Sequence, residues 1–313
     1  MKTTTGSYVG TGVAHGIIGV GFQPDFVLVK SAAANESVFR SSSMGGTKQA
    51  SSNAAFNATD ITSLDADGFS IGTNARVNTN LVTYHYLAIR DDGVGDFKVS
   101  TYVGDGVDPH NIAGVGFQPD LVIICVDAGQ FSFFKPSSLA GDASLGFGAT
   151  AGVLTDRIQA LQADGFQVGL NAAVNTNLTT YHYIAAKNVA GQFNAFTYLG
   201  DAADNRNING QGMTPKFCLT KRNGTTASGV RFGDEVGDLS LKMDASAEAA
   251  DRIQDFHSDG FQIGTDASVN AASNYYGWSL AGNLTPPTPA DDKVHLLLKR
   301  RHWVQRDTAA PFL

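Results

Sequence analysis

Seven histidines and two cysteines are the residues of this 313-residue chain best suited to metal binding or nucleophilic chemistry. His85 and His182 stand at matching places in two Tyr-His-Tyr segments, and Tyr276 takes that place in a third. A zinc site needs three or four converging ligands. These two fall in separate repeats, so the expectation is half-buried strand histidines. His15 and His110 occupy matching loops and are expected to have no acidic or cysteine partner near them in sequence. Cys125 and Cys218 lie in apolar runs at non-matching positions, the setting of buried, inert thiols, and no CxxC pair exists. Asp65-Ala66-Asp67-Gly68 has the opening spacing of a calcium loop but lacks the glutamate that closes one. Gln162 and His257 replace Asp65 in the sister segments, so a plain Asp-Gly turn is expected. No GxSxG, HExxH, Walker A or dinucleotide fingerprint is present. The expectation is a non-enzyme with no catalytic residue, metal or cofactor.

Two groups could instead bind a partner. Tyr84, Tyr181, Tyr275 and Trp278 could offer stacking faces to a glycan, although alternating strand faces direct at least half of such rings to a core. The C-terminal stretch carries Lys299, Arg300, Arg301, Trp303 and Arg306, a basic and aromatic docking profile. It follows Pro286, Pro287 and Pro289, which should form an extended linker. Residues 283–313 carry +2 and the remainder −9, giving the net −7. So small a positive balance neutralises few phosphates, which argues against nucleic acid. A frayed, solvated terminus is the alternative reading of this tail.

The elements that must position these groups are set by composition and by repetition. Glycine is abundant, at 35 residues, and only 16% of residues are charged. Soluble proteins average about 25% charged. Scattered glycines in an apolar, β-branched sequence point to strands joined by tight turns. No apolar run is long enough to span a membrane. The opening MKTTTGSYVG has no apolar core of a signal peptide, so synthesis in a cytoplasm without secretion is expected.

Internal repetition organises the rest. GVGFQPDFVLVK, from Gly19, returns as GVGFQPDLVIICV from Gly114 and more loosely as GQGMTPKFCLTKR from Gly210. The segments around Asp67-Gly68, Asp164-Gly165 and Asp259-Gly260 keep the same period. Three copies follow, at 1–97, 98–194 and 195–282, with a tail at 283–313. A unit near 95 residues is the size of a domain and exceeds the ~20–45 residues of a solenoid repeat. Phe26 to Val29 and Leu121 to Ile124 read as central strands buried on both faces, with proline at their entry. The Asp-Gly pairs read as hairpin turns. Thr155 to Leu161 reads as a short helix capped by Asp156, whereas Thr59 to Leu64 reads as a strand or turn. The fold class is all-β: three tandem jelly-roll or lectin-like β-sandwich domains of about 95 residues plus an extended C-terminal tail.

Gly21-Phe22-Gln23-Pro24-Asp25, Asp67-Gly68-Phe69, Val77-Asn78 and Tyr84, with counterparts near 116–120, 164–166, 174–175 and 181, form a recurring pattern. It resembles the repeated concanavalin- or laminin-G-like β-sandwich modules of bacteriophage virion proteins and prophage-derived bacterial proteins. The resemblance covers about nine-tenths of the chain and describes a scaffold. Leu28 and Ile123 stand where family members often carry Trp, and the third copy has Met213-Thr214-Pro215-Lys216. The resemblance implies a non-enzymatic bacteriophage virion structural protein, a capsid decoration or head-fibre protein on the particle surface. Its partners would be other capsid or tail subunits, or further copies of itself. The alternative is a tail-associated host-recognition protein that binds a surface glycan. A third reading, a glycan-cleaving enzyme, requires a carboxylate pair about 5–9.5 Å apart.

Overall fold

The computed structural model describes residues 1–149 and 151–282. Unit one contributes β1 (Lys2–Val9), β2 (His15–Ile18), β3 (Phe26–Ser31), β4 (Val38–Ser41) and β5 (Lys48–Gln49). It continues with β6 (Ile61–Asp65), β7 (Gly68–Ile71), the one-turn α1 (Ala75–Asn78) and β8 (Thr83–Arg90). Unit two repeats the strands as β9 (Phe97–Val103), β10 (His110–Ala113), β11 (Leu121–Val126) and β12 (Phe133–Pro136). Its remaining strands are β13 (Leu145–Gly146), β14 (Ile158–Gln162), β15 (Gly165–Val168) and β16 (Thr180–Ala186). Unit three has β17 (Phe193–Leu199), β18 (Arg206–Asn209), β19 (Phe217–Arg222) and β20 (Gly229–Phe232). It closes with β21 (Leu241–Lys242), β22 (Ile253–His257), β23 (Gly260–Ile263) and β24 (Asn274–Leu280). The second and third units thus begin one or two residues before the boundaries drawn from the repeat.

Each unit is a pair of antiparallel sheets. In unit one a five-stranded sheet, β1-β8-β3-β4-β5, faces a three-stranded sheet, β2-β7-β6. The other units copy this order strand for strand. The apolar run after Pro24 is explained by its place: β3 lies between β8 and β4 and is buried along its length. Val27 and Val29 point into the sandwich of unit one. Phe26 and Leu28 point the other way, into a cluster shared with units two and three. That shared cluster is larger than any of the three sandwich interiors. The copies have the size of autonomous domains, yet each leaves one face of its larger sheet to be covered by the other two. Burying such faces is the main favourable term in folding.

The hairpins fall where the Asp-Gly pairs stand, with one difference of detail. Ala66 and Asp67 make the turn, and Gly68 is already paired with Asp65 as the first residue of β7. Glycine is required there by crowding as well as by its φ of +139°: a Cβ would lie 1.9 Å from the carbonyl oxygen of Ile17 on β2. Gly165 and Gly260 meet the same obstacle. The expected helix from Thr155 to Leu161 does not form. Asp156 has a φ of +64°, and residues from Ile158 onward pair with β15 as β14. Pairing with a neighbouring strand outweighs helix propensity, which is a weak preference.

Candidate functional site

Asp67, a calcium-ligand candidate in sequence, is occupied by main-chain amides. Its carboxylate accepts from Gly19 N at 3.2 Å and Gly21 N at 2.6 Å. Asp164 does the same for Gly114 and Gly116, and Asp259 for Gly210 and Gly212. These aspartates fasten the loop before the central strand to the hairpin. Among the described residues no group of three or more His, Cys, Asp or Glu side chains is arranged to hold a metal.

The aromatic candidates for glycan contact are interior. Tyr84, Tyr181 and Tyr275 are fully buried, each stacked on a tyrosine of the neighbouring strand: Tyr8 at 5.2 Å, Tyr102 at 5.3 Å and Tyr198 at 5.0 Å. The Tyr84 hydroxyl donates to Ala75 O and accepts from Thr79 N, both at 2.7 Å, holding the turn around α1. Tyr181 and Tyr275 make the corresponding bonds. A buried ring with a bonded hydroxyl is the common arrangement for tyrosine in a core. Trp278 is buried edge-on against Phe134 and Phe147 of unit two. None of the four presents a ring face to a sugar, because strand alternation and the shared core both turn them inward. The docking candidates Lys299, Arg300, Arg301, Trp303 and Arg306 lie outside the described residues.

What the structure brings together is a set of three equivalent junctions. Phe56 N of unit one donates to Asp127 Oδ1 of unit two at 2.8 Å, and Val153 N of unit two to Asn223 Oδ1 of unit three at 3.0 Å. Glu248 N of unit three donates to Ala32 O of unit one at 2.9 Å, closing the ring. Ala32, Asp127 and Asn223 occupy one repeat position, so a side-chain acceptor at two junctions becomes a carbonyl at the third. The chain is therefore a single-chain, pseudo-three-fold trimer of sandwiches.

A buried amine sits at each junction. Lys30 Nζ donates to the carbonyls of Asn35 and of Ser246 in unit three. Lys221, at the same repeat position, donates to Gly224 O, Thr226 O and Gly148 O of unit two. Unit two has Cys125 at that position, and Lys48 of unit one supplies the missing cation. Its Nζ donates to Gln130 O at 2.7 Å, with Ala128 O and Val126 O at 3.3 and 3.4 Å, and to Ala54 O. Burial draws the Lys30 and Lys221 amines down to about 8 and also lowers that of Lys48. The surrounding carbonyls favour the ammonium form. Cys125 and Cys218 are buried as expected, and burial raises both thiols, Cys125 to about 12.

The matched histidines face the neighbouring unit. His85 Nδ1 lies 3.0 Å from Asp234 Oδ2 of unit three, and His182 Nδ1 3.1 Å from Ser43 Oγ of unit one. Burial, the largest single influence on His85, opposes its charge, but the Asp234 bond and the nearby charges of Asp234, Glu235 and Glu248 together outweigh it and raise the imidazole pKa. Burial alone dominates at His182 and lowers it. His15 and His110, expected in loops, are instead the first residues of β2 and β10, paired with Ile71 and Val168; His110 lies 3.4 Å from Asp105, and His15 bonds Val13 O or Thr11.

Sequence reasoning passes over the exposed turn residues Leu81 and Leu178. They are 81% and 83% exposed with φ of +62° and +59°. Few side chains other than Gly, Asn or Asp adopt that backbone conformation without cost. Val9 and Val13 beside the first, and Val103 and Val107 beside the second, are also exposed. The signal was the repeated Val-Asn-Thr-Asn-Leu, whose Asn78 and Asn175 are buried and bond the loop after β1 or β9.

One repeat unit has a counterpart among known families. A family described as a domain of unknown function (DUF7483) matches residues 2–90. Those bounds run from the first residue of β1 to the last of β8, which is unit one alone. No curated protein matches the chain.

Proposed function

We propose that this chain is a non-enzymatic structural protein of a bacteriophage particle, a capsid decoration or head-fibre protein seated at a three-fold or quasi-three-fold position. The observation that carries this reading is the closed ring of three equivalent junctions around one core. A single chain with that arrangement suits a site where three like subunits meet, because each unit can repeat one contact with a different neighbour. The apolar tips at Leu81 and Leu178 recur in units one and two, with Ala271-Ala272-Ser273 in their place in unit three, and suit a contact made by two of the three units. Exposed apolar groups held in a costly backbone conformation favour a binding role over a packing role. The basic tail would add a tethered second contact, strengthening attachment through effective concentration.

Electron microscopy of purified particles tests the reading. One copy of the chain is expected at each three-fold or quasi-three-fold position. Leu81→Asp with Leu178→Asp should leave the protein folded and abolish its incorporation. Particles that lack the protein, or carry it only at the tail tip, would overturn the decoration reading.

A further inference from the structure

Arg40 on β4, Lys135 on β12 and Arg231 on β20 occupy one repeat position, each opposite the second residue of its unit's central strand. In units two and three the following loop wraps the cation. Lys135 Nζ donates to the carbonyls of Leu139, Gly141 and Ala143 at 2.6–2.9 Å. Arg231 Nη2 donates to Glu235 O at 3.2 Å and Gly237 O at 2.9 Å, and its Nη1 to Leu239 O and Ile253 O. Those loops, 137–144 and 233–240, also carry acids, Asp142 and Asp238, that act on the enclosed cation.

Unit one differs. Its loop, 42–47, is two residues shorter and contains no acid. Arg40 uses Nη1 alone, donating to Ile61 O at 2.8 Å and Thr62 O at 3.0 Å. Among the described residues its Nε and Nη2 have no partner and it forms no ion pair. Burial, uncompensated by any carboxylate, lowers its pKa. In front of it opens a groove of about 520 Å³ lined by Gln23, Asp25, Ser42, Ser63 and Arg90 among others. That volume lies within the roughly 300–1,000 Å³ of small-molecule sites.

We propose that this groove binds a carboxylate-bearing sugar. The ligand carboxylate takes, on Arg40, the place that loop oxygens fill on Lys135 and Arg231. A guanidinium edge with two unused donors suits a carboxylate, and such charge-assisted bonds are about twice as strong as neutral ones. Away from Arg40 the lining is mainly polar: serine hydroxyls, the Gln23 amide, Arg90 and the carboxylates of Asp25 and Asp91, which suit ring hydroxyls better than an apolar chain. The proposal is independent of where the protein sits on a particle.

Calorimetric titration of the full chain with sodium glucuronate, glucose and sodium acetate tests it. Glucuronate should bind once per chain, with glucose and acetate each weaker by roughly tenfold or more. Arg40→Gln should weaken glucuronate by a similar factor. Ser42→Asp, at an exposed position, restores the missing acid beside Arg40 and should also weaken it, which keeps the test sound if Arg40→Gln fails to fold. No binding of millimolar glucuronate would overturn the proposal, as would equal affinity for glucose or retention of binding in both variants. Acetate binding as tightly as glucuronate would overturn the sugar assignment, and two or three sites per chain would overturn the assignment to unit one.

Discussion

The junction between units one and three and the junction between units one and two share one backbone template but not one electrostatic design. The first holds His85 against Asp234, with Glu235 buried beside them and its carboxyl pushed up to about 8 by burial. The second holds His182 against the neutral hydroxyl of Ser43. The difference shows that each junction keeps a main-chain amide donor and a buried amine, while the acceptor and the charged side chains around them vary. It also implies that the two histidines respond to pH in opposite senses. In each case the amine that satisfies the loop carbonyls is retained, from Lys30 in one and from Lys48 in the other. That retention marks carbonyl satisfaction as the stricter requirement, since an unpaired buried polar group costs about 1–3 kcal/mol.

The largest effect is expected from removing that amine. Lys48→Leu installs the residue found at the matching positions Leu145 and Leu241, and should destabilise the chain by about 3 kcal/mol in denaturant unfolding. Adding Cys125→Lys should recover most of the loss, because it gives unit two the pattern of units one and three. A double variant no more stable than Lys48→Leu would break the equivalence of the junctions.

A smaller effect belongs to Glu235. Its folded pKa of about 8 lies above the ordinary glutamate value of 4.5, so the folded state keeps a proton that the unfolded chain releases. Stability therefore falls as pH rises from about 4.5 to about 8. Glu235→Gln should remove that fall, stabilising by roughly 1–3 kcal/mol at pH 8 and by little at pH 4.5. Equal effects at both pH values in thermal unfolding would show that the carboxyl is not held neutral.

The smallest effect compares the histidines directly. The His85 pKa is raised on folding, so its contribution is present below the unfolded value and fades as pH rises through the folded one. Asp234 is held low, chiefly by the His85 bond working against burial, so its share is lost in acid. His182 has a lowered pKa, so wild-type stability falls as pH drops through its unfolded value. Replacing each by Tyr, the residue at position 276, should cost about 1 kcal/mol at pH 6 for His85 and less at pH 8.5. His182→Tyr should instead flatten the acid-side loss. Parallel pH profiles for the two variants would remove the contrast between the junctions.

Much of each unit was legible along the chain. Pro24-Asp25 before an apolar run marks β3, and Asp67-Gly68 marks the β6–β7 hairpin, because proline and glycine impose backbone limits that are local. Thr155 to Leu161 misled because its residues tolerate a helix and only β15 supplies the competing partner. The tyrosines misled because a ring with a polar handle suits a wet surface or a bonded core equally well, and only packing separates the two. Arg40 carried no signal of its own. Its difference from Lys135 and Arg231 lies in a loop two residues shorter, which acquires meaning once the wrapped loops of the other units are seen.

The sequence by itself determined the repeat, its period and the strand-turn template, since these rest on glycine, proline and apolar alternation within one unit. Tertiary structure alone decided that the three copies close into a ring over one shared core, and that Lys48 serves the loop Cys125 cannot. The physical reason is that strand faces alternate: a run such as Phe26 to Val29 declares that both faces are buried, but not what buries the outer one.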